Sequence, residues 1–439
     1  MSDHFTYRRL LRFVLSPILM LICSSLYSIV DGFFVSNFVG KTPFAAVNLI
    51  MPVIMAISTI GFMIGTGGSA VVSITLGENK PKLANRYFSM LVYTALSFGI
   101  LLSAVGFLFV RPISIFLGAG SELLDDCILY GRILFIGETA FILQNVFQSL
   151  LITAEKPALS LKISVAAGIT NVVFDFLLIV VFHLGLLGAA VATVMGQLIG
   201  GVIPLVYFLR QNDSLLQLTK TAFYGKQLLQ TCINGSSEMV TNLSVSIVSI
   251  LFNYKLMHLA GENGVAAYGI IMYVNFIFMG VFMGYALGSA PIISYHYGAG
   301  NSFEVRNLFR KSFILMCISG AVLTLLAELL AGPLVLLFAS YDMVLFSITR
   351  RGFMLYSLAF LFMGMNVWGS SFFTALNNGF ISAMISFLRT LLFQILFILI
   401  LPDFWGIDGI WMSVVMAELF ALFVTGSFLA LNKTRYHYS

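Results

Sequence analysis

The sequence predicts an all-α polytopic membrane protein with twelve transmembrane helices, arranged as two six-helix lobes related by pseudo-twofold symmetry. Three observations predict it. Of 439 residues, 59% are apolar and only 9% are charged, whereas a soluble domain needs roughly 25% charged residues to cover its surface. The apolar residues form long unbroken runs rather than the alternation of barrel strands, and a backbone crossing a bilayer must satisfy its hydrogen bonds within a helix or a closed barrel. The second half of the chain also repeats the first in a single register.

The runs between polar breaks are each long enough for a span, which needs about 20 residues. They fall at 13–35, 44–75, 88–110, 128–153, 158–182, 186–209, 232–258, 264–295, 309–338, 351–375, 380–401 and 408–431. The first run follows Arg8, Arg9 and Arg12. It is too long for a signal-peptide core and lacks a small-residue cleavage pattern, so it reads as a retained helix. The polar stretch from Arg210 to Lys226 divides the chain into an N-lobe at 1–210, a linker at 211–231 and a C-lobe at 232–439.

Basic residues orient such a chain. With the N-terminus inside, fifteen Lys and Arg fall on the inner side, among them Arg86, Lys156, Arg210, Arg306, Lys311 and Arg435. Six fall outside: Lys41, Arg111, Arg132, Lys255, Arg350 and Arg351. The bias places both termini in the cytoplasm, with the Arg350–Arg351 pair as an exception. The net charge of +5 is thus an orientation signal, not the footprint of a nucleic-acid partner. Cys23, Cys127, Cys232 and Cys317 lie far apart with no CxxC pair, and the histidines are scattered, so no disulfide framework and no zinc site is expected.

A shift of 221 positions superimposes the halves without a gap. Gly40 falls on Gly261, Gly67 on Gly288, Gly77 on Gly298, Pro112 on Pro333, Asn145 on Asn366, and Gly185 and Gly188 on Gly406 and Gly409. The matched glycines and prolines mark helix ends, where backbone geometry is demanding. Six helices per half is an even number, so both halves insert with the same orientation, as parallel repeats about an axis along the membrane normal. Such paired bundles suit a secondary transporter in which one lobe rocks against the other. Gly65-Thr-Gly67-Gly68-Ser-Ala70 has the form GxGxxA, but it lies inside an apolar helix with no preceding strand, so close helix packing is the expectation. No GxxxxGK[ST] loop is present.

Ionisable groups inside apolar helices are costly and mark functional sites. Asp31 lies near the far end of the first helix and Asp175 well inside the fifth, where Asn171 shares its helical face. Thr193 and Gln197 have the same spacing in the sixth helix, and Asn145 and Gln148 stand three apart in the fourth. Together these residues describe a polar pocket in the N-lobe. Two carboxylates with amide and hydroxyl oxygens can hold a hard cation such as sodium. The same carboxylates, brought together away from water, are equally suited to taking up and releasing protons. The C-lobe holds Glu238, Glu328, Arg389 and Glu418 instead, while Phe252 and Leu396 stand where the repeat places Asp31 and Asp175. Coupling is therefore expected in the N-lobe. Arg389 needs a partner or a wet cavity, and Glu238 is a candidate partner. Glu238, Arg389, Gln148 and Gln197 form a possible secondary polar site.

These residues resemble the multidrug and toxic compound extrusion (MATE) family, prokaryotic type, over essentially the whole chain. Tyr27-Ser-Ile-Val-Asp31 followed by Gly40 looks like its opening signature, Asn171-x-x-x-Asp175 like its cation motif, and Gly288-Ser-Ala-Pro291 through Gly300 like the end of its eighth helix. The resemblance implies export of lipophilic, often cationic, drugs in exchange for protons or sodium. It places the cation site at Asp31, Asn171, Asp175 and Thr193, with Asn145 nearby. Leu287 and Ala290 stand where relatives often carry glutamine, and Asn366 stands where some carry an acid.

The expectation is a cation-coupled, alternating-access antiporter, not an enzyme. It would be monomeric, without cofactor, in the cell membrane, with a lipophilic substrate and membrane lipids as partners. The alternative is a flippase for lipid-linked glycans or other amphipathic lipids, which would call for a basic cavity.

Overall fold

The computed structural model describes residues 2–339 and 342–438. Its helices are α1 (Tyr7–Val39), α2 (Lys41–Gly77), α3 (Pro81–Phe116), α4 (Ser121–Thr153), α5 (Pro157–Val181) and α6 (Gly185–Leu209). A non-helical linker follows, and then a helical stretch, Gly225–Gly298, that breaks at Gly261. We number its halves α7 (225–260) and α8 (262–298). The remainder comprises α9 (Ser302–Ala339), α10 (Met343–Ser357 and Phe360–Ala375, bent by 50°), α11 (Gly379–Trp405) and α12 (Ile407–Tyr436). Among the described residues, a helix stands at each of the twelve expected runs. Most helices overrun the apolar runs, because amphipathic turns continue them past the lipid. Thus α7 begins at Gly225 rather than at 232.

The repeat survives as backbone conformation. Gly40 and Gly261 both have positive φ, as do Gly185 (φ 55) and Gly406 (φ 56). Gly261 alone makes the turn between α7 and α8 (φ 61, ψ −150), a conformation that a side chain would strain.

The lobes meet on the side that carries both termini. There α2 lies against α7: a Cβ at Gly67 would overlap the carbonyl oxygen of Thr231, and one at Gly235 that of Met63. The repeat places Gly288 of α8 against Val14 of α1, and Gly284 beside Ile18. Such close backbone approach at small residues is how helices associate in lipid, where hydrophobic attraction between them is absent. The α1–α8 contact runs past Ile22 and Gly280 to Ser25, whose Oγ lies 3.3 Å from the Phe276 carbonyl oxygen. Further along, added Cβ atoms at Gly32 and Gly269 would meet nothing within 4 Å. Those two positions adjoin open space away from the termini.

The linker is pinned along α3. Gln217 N donates to Asn85 Oδ1 (2.8 Å) and Thr219 N to Ser89 Oγ (2.8 Å), while Lys156 Nζ pairs with Asp213 (2.7 Å). The exceptional Arg351 is neutralised by Asp408 at the start of α12, with Nε 2.9 Å from Oδ1. Its side chain is 72% exposed. Exposed pairs contribute about 0–1 kcal/mol, so Arg351→Ala is expected to lower detergent-solubilised stability by less than about 1 kcal/mol in a thermal melt.

Candidate functional site

The N-lobe encloses a cavity of about 100 Å³ between α1, α2, α4, α5 and α6. Its polar lining is Tyr27, Ser28 and Asp31 from α1, Gln144 from α4, Asn171 from α5, and Thr193 and Gln197 from α6. Glycines let these side chains converge. A Cβ at Gly168 would strike the Tyr27 ring at 2.6 Å, and one at Gly137 would lie 2.8 Å from Gln197 Oε1. Tyr27 contacts Gln144, and Tyr130 contacts Thr193. Both acids also adjoin irregular helix. Asp175 immediately precedes a π-helical segment at Phe176–Val181, and α1 turns π-helical at Val35–Val39, one turn past Asp31. Such segments recur at functional sites.

Asp175 is completely buried. Its carboxyl group adjoins that of Asp31, and Asn171 is also a neighbour of Asp31. The striking feature is the donor deficit. Asp31 Oδ1, both oxygens of Asp175, Asn171 Oδ1, Gln144 Oε1 and Gln197 Oε1 are all buried with no hydrogen-bond partner. Buried polar atoms are ordinarily satisfied. Two adjoining buried carboxylates do not both carry bare charge in a low dielectric, so the pair calls for a proton or a cation. The set is all oxygen, with two carboxylates and neutral amides, and it fits sodium or a proton. At about 100 Å³ the cavity is far below the roughly 300–1,000 Å³ of a drug pocket. A drug-sized molecule does not fit inside it.

Asp31, Asn171, Thr193 and Gln197 thus line one cavity, and Asp175 abuts Asp31. Asn145 is placed elsewhere: its Nδ2 donates to Ser58 O at 3.3 Å, tying α4 to α2. The secondary group does not form one site. Gln197 belongs to the cation cavity, and Gln148 lines a separate cranny of about 10 Å³ beside Ser160. Arg389 and Glu238 lie in the C-lobe. The direct partner of Arg389 is Glu418, with Nη1 3.3 Å from Oε1, rather than Glu238. Glu418 stands 29 positions along the chain, on the next helix, so the pairing follows from α11–α12 packing and not from helical spacing.

Glu138 was not singled out by sequence reasoning. It is fully buried in α4, and neither carboxyl oxygen has a partner. It lies seven residues after Gly131, which packs on Ile50 and Val110, and seven before Asn145, so it faces α2 and α3 rather than the cavity. An acid inside the 128–153 run was the available signal. No donor offsets a charge there, so the uncharged isostere Glu138→Gln is expected to change the melting free energy by less than about 1 kcal/mol.

The MatE family model matches twice, at residues 17–177 and 239–400, one copy in each lobe. The chain belongs to the MatE family. It is similar to the multidrug export protein MepA of Staphylococcus haemolyticus, 23% identical over 427 residues, covering 95% of this chain and 92% of that one. It matches MepA of Staphylococcus aureus at 23% identity, covering 94% and 91%. Among solved structures, a MATE in complex with MaL6 superimposes with a TM-score of 0.94 at 20% identity, covering 99% of this chain and 97% of that chain. A multidrug resistance MATE transporter in an outward-facing conformation gives 0.92 at 20% identity, covering 98% and 96%. These structures share the two-lobe MatE fold described above. The chain is a multi-pass membrane transporter of this family.

Proposed function

We propose that the chain is an antiporter that exports lipophilic, often cationic, small molecules in exchange for protons or sodium. The observation that carries the reading is Asp31 lining a cavity too small for a drug, with the fully buried Asp175 beside it. The cation enters between the two carboxylates, supported by Asn171 and Thr193. The drug occupies a cleft between the lobes. The lobes at 1–210 and 232–439, joined by the linker at 211–231, rock about the shared cleft, so that it opens to each side in turn. Cation uptake supplies the differential affinity that such a shift requires. Family membership and relatives named as multidrug export proteins support the substrate class. The excess of basic residues on the terminal side supports cytoplasmic termini in the cell membrane. The flippase alternative needs cations at the cleft, yet Arg389 is tied to Glu418.

The test is transport in proteoliposomes containing the purified chain. A fluorescent lipophilic cation should move against its own gradient when a proton or a sodium gradient is imposed. No movement under either gradient would reject the reading.

A further inference from the structure

The repeat allows the N-lobe cavity to be located in the C-lobe. The shift of 221 carries Gly168 onto Arg389, Gln197 onto Glu418 and Asn145 onto Asn366. These C-lobe residues are the ones that meet. Arg389 Nη1 lies 3.3 Å from Glu418 Oε1, and Asn366 Nδ2 donates to Glu418 Oε2 at 2.8 Å. Arg389 and Glu418 are 5% and 3% exposed. Where Gly168 leaves room for the Tyr27 ring at the cavity wall, its counterpart carries a guanidinium. Where Asp31 lines the N-lobe cavity, Phe252 is buried and stacks on Tyr268 at 5.1 Å. Arg389 lies within a π-helical segment at Leu388–Leu392, as Asp175 adjoins one in α5.

We infer that Arg389 is a tethered cation filling the C-lobe counterpart of the N-lobe cavity, so that the C-lobe takes up no mobile coupling ion. The inference rests on the N-lobe coupling reading for its contrast, but it concerns different residues. A guanidinium cannot lose its charge in a protein and gives planar, directed hydrogen bonds to a carboxylate. It therefore answers the Glu418 carboxylate as a bound ion would, without exchanging. Other polar groups near it are Glu238 of α7, which is half-buried, and Tyr356 of α10, both of which feel the Arg389 charge, with Tyr268 of α8 beside Tyr356. None is a second fixed cation. Removing the guanidinium would leave Glu418 and Asn366 as oxygen donors beside a space large enough for an ion.

The test counts cations on the purified full chain, by equilibrium binding of radioactive sodium and by proton uptake after a pH jump. Asp31→Asn/Asp175→Asn should bind no mobile cation. Adding Arg389→Gln should restore one site, and adding Glu418→Gln should abolish it again. Arg389→Lys, which keeps the tethered charge, should restore nothing. The variant with all four changes carries no charge at these four positions, and its cooperative melt is the control for folding. The inference is overturned if Asp31→Asn/Asp175→Asn, with Arg389 intact, retains a cation that Glu418→Gln removes. It is also overturned if a folded Arg389→Gln chain gains no site. A wild type that binds nothing at Asp31 and Asp175 would count against the coupling reading alone, because the Arg389→Gln comparison is made in a background lacking both acids.

Discussion

Asp175→Asn is expected to leave the fold intact and drug binding present, while gradient-driven drug movement falls by about 100-fold. Asn matches Asp in size, and Asp175 makes no hydrogen bond to a protein donor that the change would break. What is lost is the second carboxylate. A single Asp31 cannot hold a proton or cation as an adjoining pair does, and the free energy coupling ion to drug disappears. Coupling energies are typically about 1–3 kcal/mol, or roughly 5–150-fold, and loss of the ion site removes the whole of it. Uptake by proteoliposomes under an imposed gradient measures the first effect, and quenching of the bound fluorescent cation without a gradient measures the second. Wild-type uptake in the variant would move the coupling site elsewhere. Asp31→Asn should behave in the same way.

The second large effect is expected at the seam between the lobes. In Gly235→Leu the new Cβ would collide with the Met63 carbonyl oxygen of α2, which is backbone and cannot swing aside. The arrangement described here, closed on the terminal side, becomes inaccessible. The folded chain should instead occupy states in which α2 and α7 have parted. Export should fall at least about 100-fold, because alternation needs both arrangements and small-residue seams do not deform continuously. The check is labelling of a cysteine at Thr231 by a membrane-impermeant reagent from the terminal side. The Gly235→Leu chain should label at least about tenfold faster than the parent. Equal labelling with normal export would show that this seam need not close. Gly67→Leu, which meets Thr231 across the same seam, provides the matching test.

The spans were legible because a bilayer demands long apolar runs, and each predicted run lies within or overlaps one observed helix. Their joints were less so. Gly261 turns the chain without any polar loop, so the α7–α8 boundary rests on one residue. The 50° bend in α10 carries neither Pro nor Gly. It falls next to Ser357, whose hydroxyl lies 2.9 Å from both the Met354 carbonyl oxygen and Glu328 Oε1, and the second of these is a tertiary contact that no local pattern encodes. The π-helical segments likewise leave no mark in periodicity. Within the site, Asn171 and Asp175 were found by helical spacing, and Asp31 by its cost in an apolar helix. Their convergence depends on Gly168 and Gly137, whose missing side chains make room and carry no signal of their own. Glu138 and the Arg389–Glu418 pair show the limit from the other side. Each is conspicuous as a charge, but its environment belongs to helix packing.

The central claim is that cation and drug exchange obligatorily through the Asp31–Asp175 cavity. Reciprocity gives the most direct measurement. In proteoliposomes with no ion gradient, a drug gradient is imposed and counter-movement of protons or sodium is followed. The account predicts an opposing ion flux in fixed ratio to the drug, absent from Asp175→Asn. Drug that equilibrates with no ion flux in the wild-type chain would contradict it.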